Sequence, residues 1–191
     1  MSFTTVEKCA LFLNKEALTT MEEDVITMMI PMMDGVMNNY CGFNLLATDY
    51  IDKRFNGSGL GTLDTKLYPI NTITAAKIRE DVTTFTDITT SIYTMDDTYL
   101  YLDQYGDTTV FPSGTHNIYL TFNAGFSDAN MPGDLAYAGC YLVTTNANKV
   151  LREMTGIQEG DFSQIKFKMD SIELPVLVKR VLDRYRVVTV Y

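Results

Sequence analysis

Hydrophobic positions at the start of the chain recur every three or four residues. Val6, Cys9, Ala10 and Leu13 share one helical face, and Thr4 followed by Glu7 has capping-box spacing, so a short first helix is expected. A second box, Thr20 with Glu23, precedes Met21, Val25, Met28, Met29, Met32, Val36 and Tyr40, and Gly42 supplies a C-terminal stop. This predicts a long amphipathic helix. Pro31 lies inside it and removes one backbone donor, which predicts a kink near residues 27–31 without a break. Six of the eleven methionines (Met21, Met28, Met29, Met32, Met33 and Met37) fall here and run around more of the circumference than one buried stripe requires. Either a gap-filling core or an adaptable subunit interface accounts for that spread.

From about Phe43 to Gly125 the period shortens. Strand-like pieces run from Leu67 to Ile78 around Pro69, from Ser91 to Thr94, from Tyr99 to Leu102 and from Asn117 to Asn123. In the last of these Ile118, Leu120 and Phe122 alternate with Tyr119 and Thr121, as in a strand with one buried face. Asn56-Gly57-Ser58-Gly59-Leu60-Gly61, Asp96-Asp97, Tyr105-Gly106-Asp107 and Pro112-Ser113-Gly114 read as turns between them.

Helix returns at Pro132, a favoured first-turn residue, with Asp134 complementing the dipole and Gly156 closing the segment. Leu135, Ala138, Gly139, Leu142, Val150, Leu151 and Met154 form its apolar face, which is expected to pack on the methionine-rich helix. The last 35 residues read as an arm. Ile165, Phe167 and Met169 alternate with Lys166 and Lys168; Leu174, Leu177, Val178, Val181, Leu182 and Tyr185 then repeat at helical spacing behind Pro175. The β-branched tail Val187 to Tyr191 would be an open strand edge if left free, so it is expected to pair within its own chain or with another.

These elements give an α+β fold class: a helical bundle of long amphipathic helices with an inserted antiparallel β-rich region and an extended C-terminal arm. The core would occupy residues 1–156, with helices in 4–42 and 132–155 and the insertion at 43–125; residues 157–191 would be a docking arm.

With 191 residues, 46% of them hydrophobic, the chain has enough apolar surface for a real core, which excludes overall disorder. No stretch approaches the ~18 to 20 apolar residues of a membrane span, and the first residues lack a signal peptide's pattern, so a soluble, cytosolically made protein is expected. Cys9, Cys41 and Cys140 are odd in number and widely spaced, which fits small buried thiols rather than disulfides or zinc ligands. A net charge of -9 argues against a protein that grips nucleic acid, where phosphate contacts need basic surface. That charge is uneven. Six basic residues against three acidic ones between Lys166 and Tyr191 give that segment +3 and leave -12 for the rest. The C-terminus can therefore dock on an acidic surface, including that of a neighbouring copy.

Little in the sequence points to catalysis. The single histidine, His116, follows the Pro112-Ser113-Gly114 turn, and nothing near it resembles a nucleophile elbow. Glu22-Glu23-Asp24 sits in a first helical turn, where negative charge favours the dipole, while Asp96-Asp97 is turn-like and the Asp103 to Asp107 segment has too few ligands for calcium. The glycine run at 57–61 lacks the Lys-Ser/Thr of a phosphate loop and reads as a hairpin tip. Tyr99, Tyr101, Tyr105 and Tyr119 could stack bases, yet the chain carries no Lys or Arg from Phe85 to Asn148 to bind phosphate. No catalytic residue, metal ligand or cofactor is assigned.

Several short signatures occur in order over residues 3–155: Thr4-Thr5-Val6-Glu7-Lys8-Cys9-Ala10-Leu11-Phe12-Leu13, then Asn39-Tyr40-Cys41-Gly42, then Tyr68-Pro69-Ile70. Asn117-Ile118-Tyr119-Leu120-Thr121-Phe122-Asn123-Ala124-Gly125-Phe126 follows, with Met131-Pro132-Gly133-Asp134-Leu135 close behind. This succession resembles the head-to-tail connector (adaptor, or head completion) family of tailed bacteriophages, with its strand ending in Ala-Gly-aromatic and then Pro-x-Asp-Leu. The positions carrying that motif are Phe122, Ala124, Gly125, Phe126, Pro132, Asp134 and Leu135. The chain departs from the pattern in its large β-rich insertion, in Phe122-Asn123 where Tyr-Thr is commoner, and in a longer arm.

The resemblance implies a non-enzymatic virion protein of the neck, assembled in the host cytoplasm. It would form a ring, usually of twelve copies, beneath the portal protein, joined to a stopper or tail-completion protein, with genomic double-stranded DNA passing through unbound. No membrane partner is implied. The family's C-terminal segment can reach into the portal, which places portal or neighbouring-subunit contacts on Leu174, Leu177, Lys179, Arg180, Arg184, Tyr185, Arg186 and Tyr191. Removing the chain from Ser171 onward would then abolish docking and leave the core folded. The competing readings are another neck component such as a stopper, and a small ligand-binding or hydrolase domain built around His116 or Asp96-Asp97.

Overall fold

The computed structural model describes residues 2–94, 99–103, 110–156 and 174–186. These fall into two compact units, one of residues 1–42 and 131–191 and one of residues 43–130.

The described residues of the first unit form four helices: α1 (Val6–Phe12), α2 (Thr20–Cys41), α3 (Gly133–Gly156) and α4 (Val176–Leu182). α1 is capped by Thr5, whose hydroxyl accepts from the Lys8 N–H, and α2 by Thr19, which forms a reciprocal box with Glu22. Both caps lie one residue before or after the expected threonine. α2 runs unbroken through Pro31 and stops at Gly42, whose left-handed φ of 82° closes the helix with a bond from its N–H to the Asn38 carbonyl.

α2 and α3 pack side by side. Ile26, Met29, Met33 and Met37 on α2, and Leu135, Ala138, Leu142 and Val143 on α3, are at most 3% exposed. Close approach at Gly139 admits the N-terminal segment: Phe3 is fully buried, and a Cβ on Gly139 would stand 2.9 Å from the Phe3 Cβ. The Phe3 N–H donates to the buried Asp34 carboxylate at 3.3 Å.

The second unit contains two antiparallel sheets. β1 (Thr48–Gly57), β7 (Gly114–Ala124), β3 (Ile70–Arg79) and β4 (Phe85–Asp87) form one, in that spatial order. β2 (Thr62–Asp64), β6 (Tyr99–Leu102) and β5 (Ile92–Thr94) form the other. The alternation expected in β7 is present: Ile118, Leu120, Phe122 and Ala124 are buried and Tyr119, Thr121 and Asn123 are half-buried. They share a core with Ala76 and Ile78 of β3, Leu63 of β2, Ile92 of β5, and Leu100 and Leu102 of β6.

The expected fold class is corrected by this arrangement. The chain is not a bundle of long amphipathic helices carrying a β-rich insertion and an extended arm. The described residues form four helices, two of them only seven residues long, in one unit and two antiparallel sheets with a core of their own in the other. The cause lies in which surfaces cover which. The strands bury their apolar faces against one another, so no bundle is needed to cover them, and α1 and α4 each contribute only about two turns.

Nor is the C-terminal segment an extended arm where it is described. Residues 176–182 fold back as α4, and Val178 and Leu182 are fully buried in contact with α2 and α3. A truncation before Ser171 therefore removes part of the helical core and does not leave it intact. The Ile165, Phe167 and Met169 alternation and the Val187 to Tyr191 tail lie outside the described residues.

Candidate functional site

Among the described residues, the candidates for catalysis do not converge. His116 lies in β7, exposed, with a left-handed φ of 50°, and its backbone N–H donates to Asn56 Oδ1 at 2.8 Å. That places it in a strand irregularity and not in a loop. Asp96, Asp97 and Tyr105 to Asp107 lie outside the described residues. Glu22 closes the α2 capping box and pairs with Lys15, as its helix-end position predicts. Among the described residues, no group of three or more His, Cys, Asp or Glu side chains is placed to hold a metal ion, and no helix is long and apolar enough to cross a membrane.

The glycine run is not a hairpin tip, since β1 pairs with β7 and β2 pairs with β6. Gly57 ends β1 opposite Gly114, and a Cβ there would overlap the Pro112 carbonyl at 1.8 Å. Asn117, buried, spans this crossing: Oδ1 accepts from the Gly57 N–H and Nδ2 donates to the Pro112 carbonyl, both at 2.8 Å.

An open groove of about 870 Å³ lies between the turn at Arg79 to Val82 and the segment from Val110 to Asn117. Its acids are committed to local structure. Asp81 accepts from the Thr83 and Thr84 N–H groups at 2.8 Å each, which holds its carboxyl down at about 2, and Glu80 accepts from the Thr86 hydroxyl. Neither is disposed as a general base.

The three thiols are free and buried. The Thr4 hydroxyl lies 2.7 Å from the Cys140 sulfur and 3.7 Å from the Cys9 sulfur. Hydrogen bonding to Cys140 and burial push the Cys9 thiol far above its ordinary range, and burial raises Cys41 to about 11. Cys140 is shifted the other way, held down at about 6 by its hydrogen bonds with Cys9 and Thr4, but it is buried against both.

The motif positions are architectural. Phe122 stacks on Tyr50 at 5.1 Å, and Phe126 meets the Tyr68 ring edge-on at 6.4 Å. Gly125, at φ 109°, donates to the Pro69 carbonyl at 2.8 Å, and a Cβ on it would lie 2.5 Å from the Leu46 carbonyl oxygen. The Pro132 carbonyl accepts the first bond of α3 from Ala136, and Leu135 is fully buried. Asp134 does more than meet the helix dipole. It accepts from the Tyr185 hydroxyl at 2.7 Å and pairs with Arg184 at 3.3 Å, tying the start of α3 to the end of α4.

The C-terminal residues singled out for partner contacts therefore divide. Tyr185 and Arg184 bond within the chain, and Arg186 lies over the Tyr40 ring at 5.4 Å. Leu174 is half-buried, while Leu177, Lys179 and Arg180 are exposed beside Val176; Tyr191 lies outside the described residues. On α2, Met29, Met33 and Met37 are buried and Met21 and Met28 are exposed. The spread of methionines thus has a buried component and an outward one. Gly35, overlooked in the sequence, belongs with the outward set, and its seven-residue step from Met28 was the available signal.

No protein-family model matches the chain, and no curated protein sequence is similar to it. Solved structures do share its fold. A chain in the neck of an empty gene transfer agent particle, computed with C6 symmetry, superposes with a TM-score of 0.57 at 16% identity, covering 97% of this chain and 90% of that one. A chain in the virion of a native gene transfer agent particle gives a TM-score of 0.56, also at 16% identity and with the same coverage.

Proposed function

We propose that this chain is a structural protein of the neck of a phage-like particle. In this reading it is a head-to-tail connector, forming a ring beneath the portal, joining the DNA-filled head to the stopper or tail and lining the DNA channel. The observation that carries the proposal is the shared fold over 97% of the chain with a component of a gene transfer agent neck. The ordered connector-like signatures from Thr4 to Leu135 are a separate line of support.

The physical properties suit that role. A conduit must let duplex DNA slide, and acidic walls avoid the counterion release that makes basic surfaces hold DNA. The burial of the three thiols, the local hydrogen bonds of Asp81 and the exposed position of His116 in a strand support a structural, non-enzymatic reading. Leu177, Lys179 and Arg180 are the described C-terminal residues left available to a portal or a neighbouring copy.

Native mass spectrometry of the chain, alone and mixed with the portal protein of the same particle, tests the proposal. Ring-sized assemblies, or a portal complex carrying many copies, are the expected result. A monomer that ignores the portal would overturn it.

A further inference from the structure

The outer face of α2 keeps apolar side chains that the described residues of the helical unit leave uncovered. Met21 is 42% and Met28 49% exposed, Met32 is half-buried, and no atom lies within 4 Å of where a Gly35 Cβ would stand. At ~100° per residue these four positions and Asp24 fall within an arc of about 80°, turned away from Ile26, Met33 and Met37. A methionine stripe around one acid, with a glycine that lets a backbone come close, has the makeup of a helix-docking surface.

A second such surface has the opposite charge. α4 exposes Val176 (67%) and Leu177 (46%) beside Lys179 and Arg180. Among the described residues, Lys179 and Arg180 have no acidic partner and Asp24 has no basic one. The two surfaces cannot meet within one chain. α4 is seated at the far end of α2, where the Tyr40 hydroxyl donates to Asp183 at 2.7 Å; at ~1.5 Å per residue that end is roughly 24 Å from Asp24.

We infer that these are the two halves of one contact between copies: α4 of one subunit lies on the outer face of α2 of the next. Val176 and Leu177 then cover Met21 and Met28, and Arg180 and Lys179 face Asp24. Repeated head to tail, this contact is heterologous and propagates around a ring; two copies that exchanged it reciprocally would stop at a dimer. Opposite charges on the two halves also set the direction of assembly. This inference rests on the neck proposal and names the contact that would build its ring.

Charge reversal separates the possibilities. Asp24→Arg and Arg180→Asp, each alone, should raise the concentration needed for assembly at least tenfold while leaving the melting temperature near wild type. An equimolar mixture of the two variants should assemble again, because alternating copies make every contact complementary. Gly35→Leu, which fills open space in the isolated chain, should fold normally and fail to assemble. Rings that form at the wild-type concentration with either reversal would overturn the helix pairing. So would reversals that keep the ring and lose only portal binding. A wild-type chain that remains monomeric alone and with the portal would instead refute the neck proposal itself.

Discussion

Gly125→Ala is the sharpest single test of how the second unit is held together. Gly125 sits at φ 109°, where an L side chain is strained, and forcing one there costs about 1–3 kcal/mol. Space is the larger problem. The new methyl would stand 2.5 Å from the Leu46 carbonyl oxygen, 2.6 Å from its carbon and 2.8 Å from the Ala47 nitrogen, so backbone and not a flexible side chain must give way. Moving that strand disturbs the bonds from Phe126 N–H to the Leu45 carbonyl (2.7 Å) and from Ala47 N–H to the Phe126 carbonyl (2.9 Å), each worth about 1 kcal/mol. The total is about 3–5 kcal/mol, a large share of the ~5–15 kcal/mol that keeps a domain folded. Denaturant unfolding followed by circular dichroism measures it, with Gly133→Ala as the control. Gly133 is exposed with nothing within 4 Å of a Cβ, so the control should move stability by less than about 1 kcal/mol. A Gly125→Ala loss below about 1 kcal/mol, or equal losses in the two variants, would refute the argument from backbone overlap.

Three further outcomes are expected. Asp134→Ala should cost about 1–2 kcal/mol and raise hydrogen exchange across residues 176–185; Tyr185→Phe should reproduce most of this and Arg184→Ala little, since Arg184 is 72% exposed and such pairs contribute little. Burial raises the Asp34 carboxyl above its ordinary 3.8, so the folded chain holds that proton more tightly than the unfolded one. Its favourable contribution is complete below 3.8 and is lost as pH rises through the raised value. Asp34→Asn should therefore be more stable than wild type at pH 7, with the gap closing toward pH 4 in parallel melts; a gap independent of pH would count against it. The three buried thiols should react with a water-soluble disulfide reagent only after unfolding, and fast labelling of the native chain at Cys9 or Cys140 would contradict their burial.

Where the sequence was legible, one signal dominated locally. β7 was readable because its alternation is uninterrupted from Ile118 to Ala124, and the end of α2 because Gly42 adopts the left-handed conformation that a helix stop favours. The cap registers were ambiguous for a concrete reason. Thr4-Thr5 and Thr19-Thr20 each offer two threonines, and Glu22-Glu23 offers two partners for the second pair. Tertiary contact decides the first case: Thr4 is buried against Cys140, so capping α1 passes to Thr5. β1 has no legible alternation. It is an edge strand of ten residues carrying Asp49, Asp52, Lys53 and Arg54, and a register shift between Tyr50 and Lys53, with Asp52 at φ 46°, breaks the alternation that would have revealed it. β2 and β4, of three residues each, are too short to establish a period.

The C-terminal segment shows a different limit, and it bears on assembly. The spacing of Leu174, Leu177, Val178, Val181 and Leu182 identifies a helix with apolar positions, but spacing cannot say whose surface covers them. In the folded chain Val178 and Leu182 are claimed by α2 and α3, and burying each contributes about 1.5–3 kcal/mol to the unit itself. Val176, Leu177, Lys179 and Arg180 remain outward, so one short helix has both a core face and an exposed, partly basic face. Charge gives that division a purpose. A subunit with -12 outside its last 26 residues repels its copies at long range, which opposes any ring. A compact basic patch held rigidly by its own buried side offsets that repulsion only when it meets an acidic face at close quarters. Ring assembly through α4 should accordingly respond to salt in two phases. Moderate ionic strength relieves the general repulsion first, and high ionic strength then weakens the local attraction.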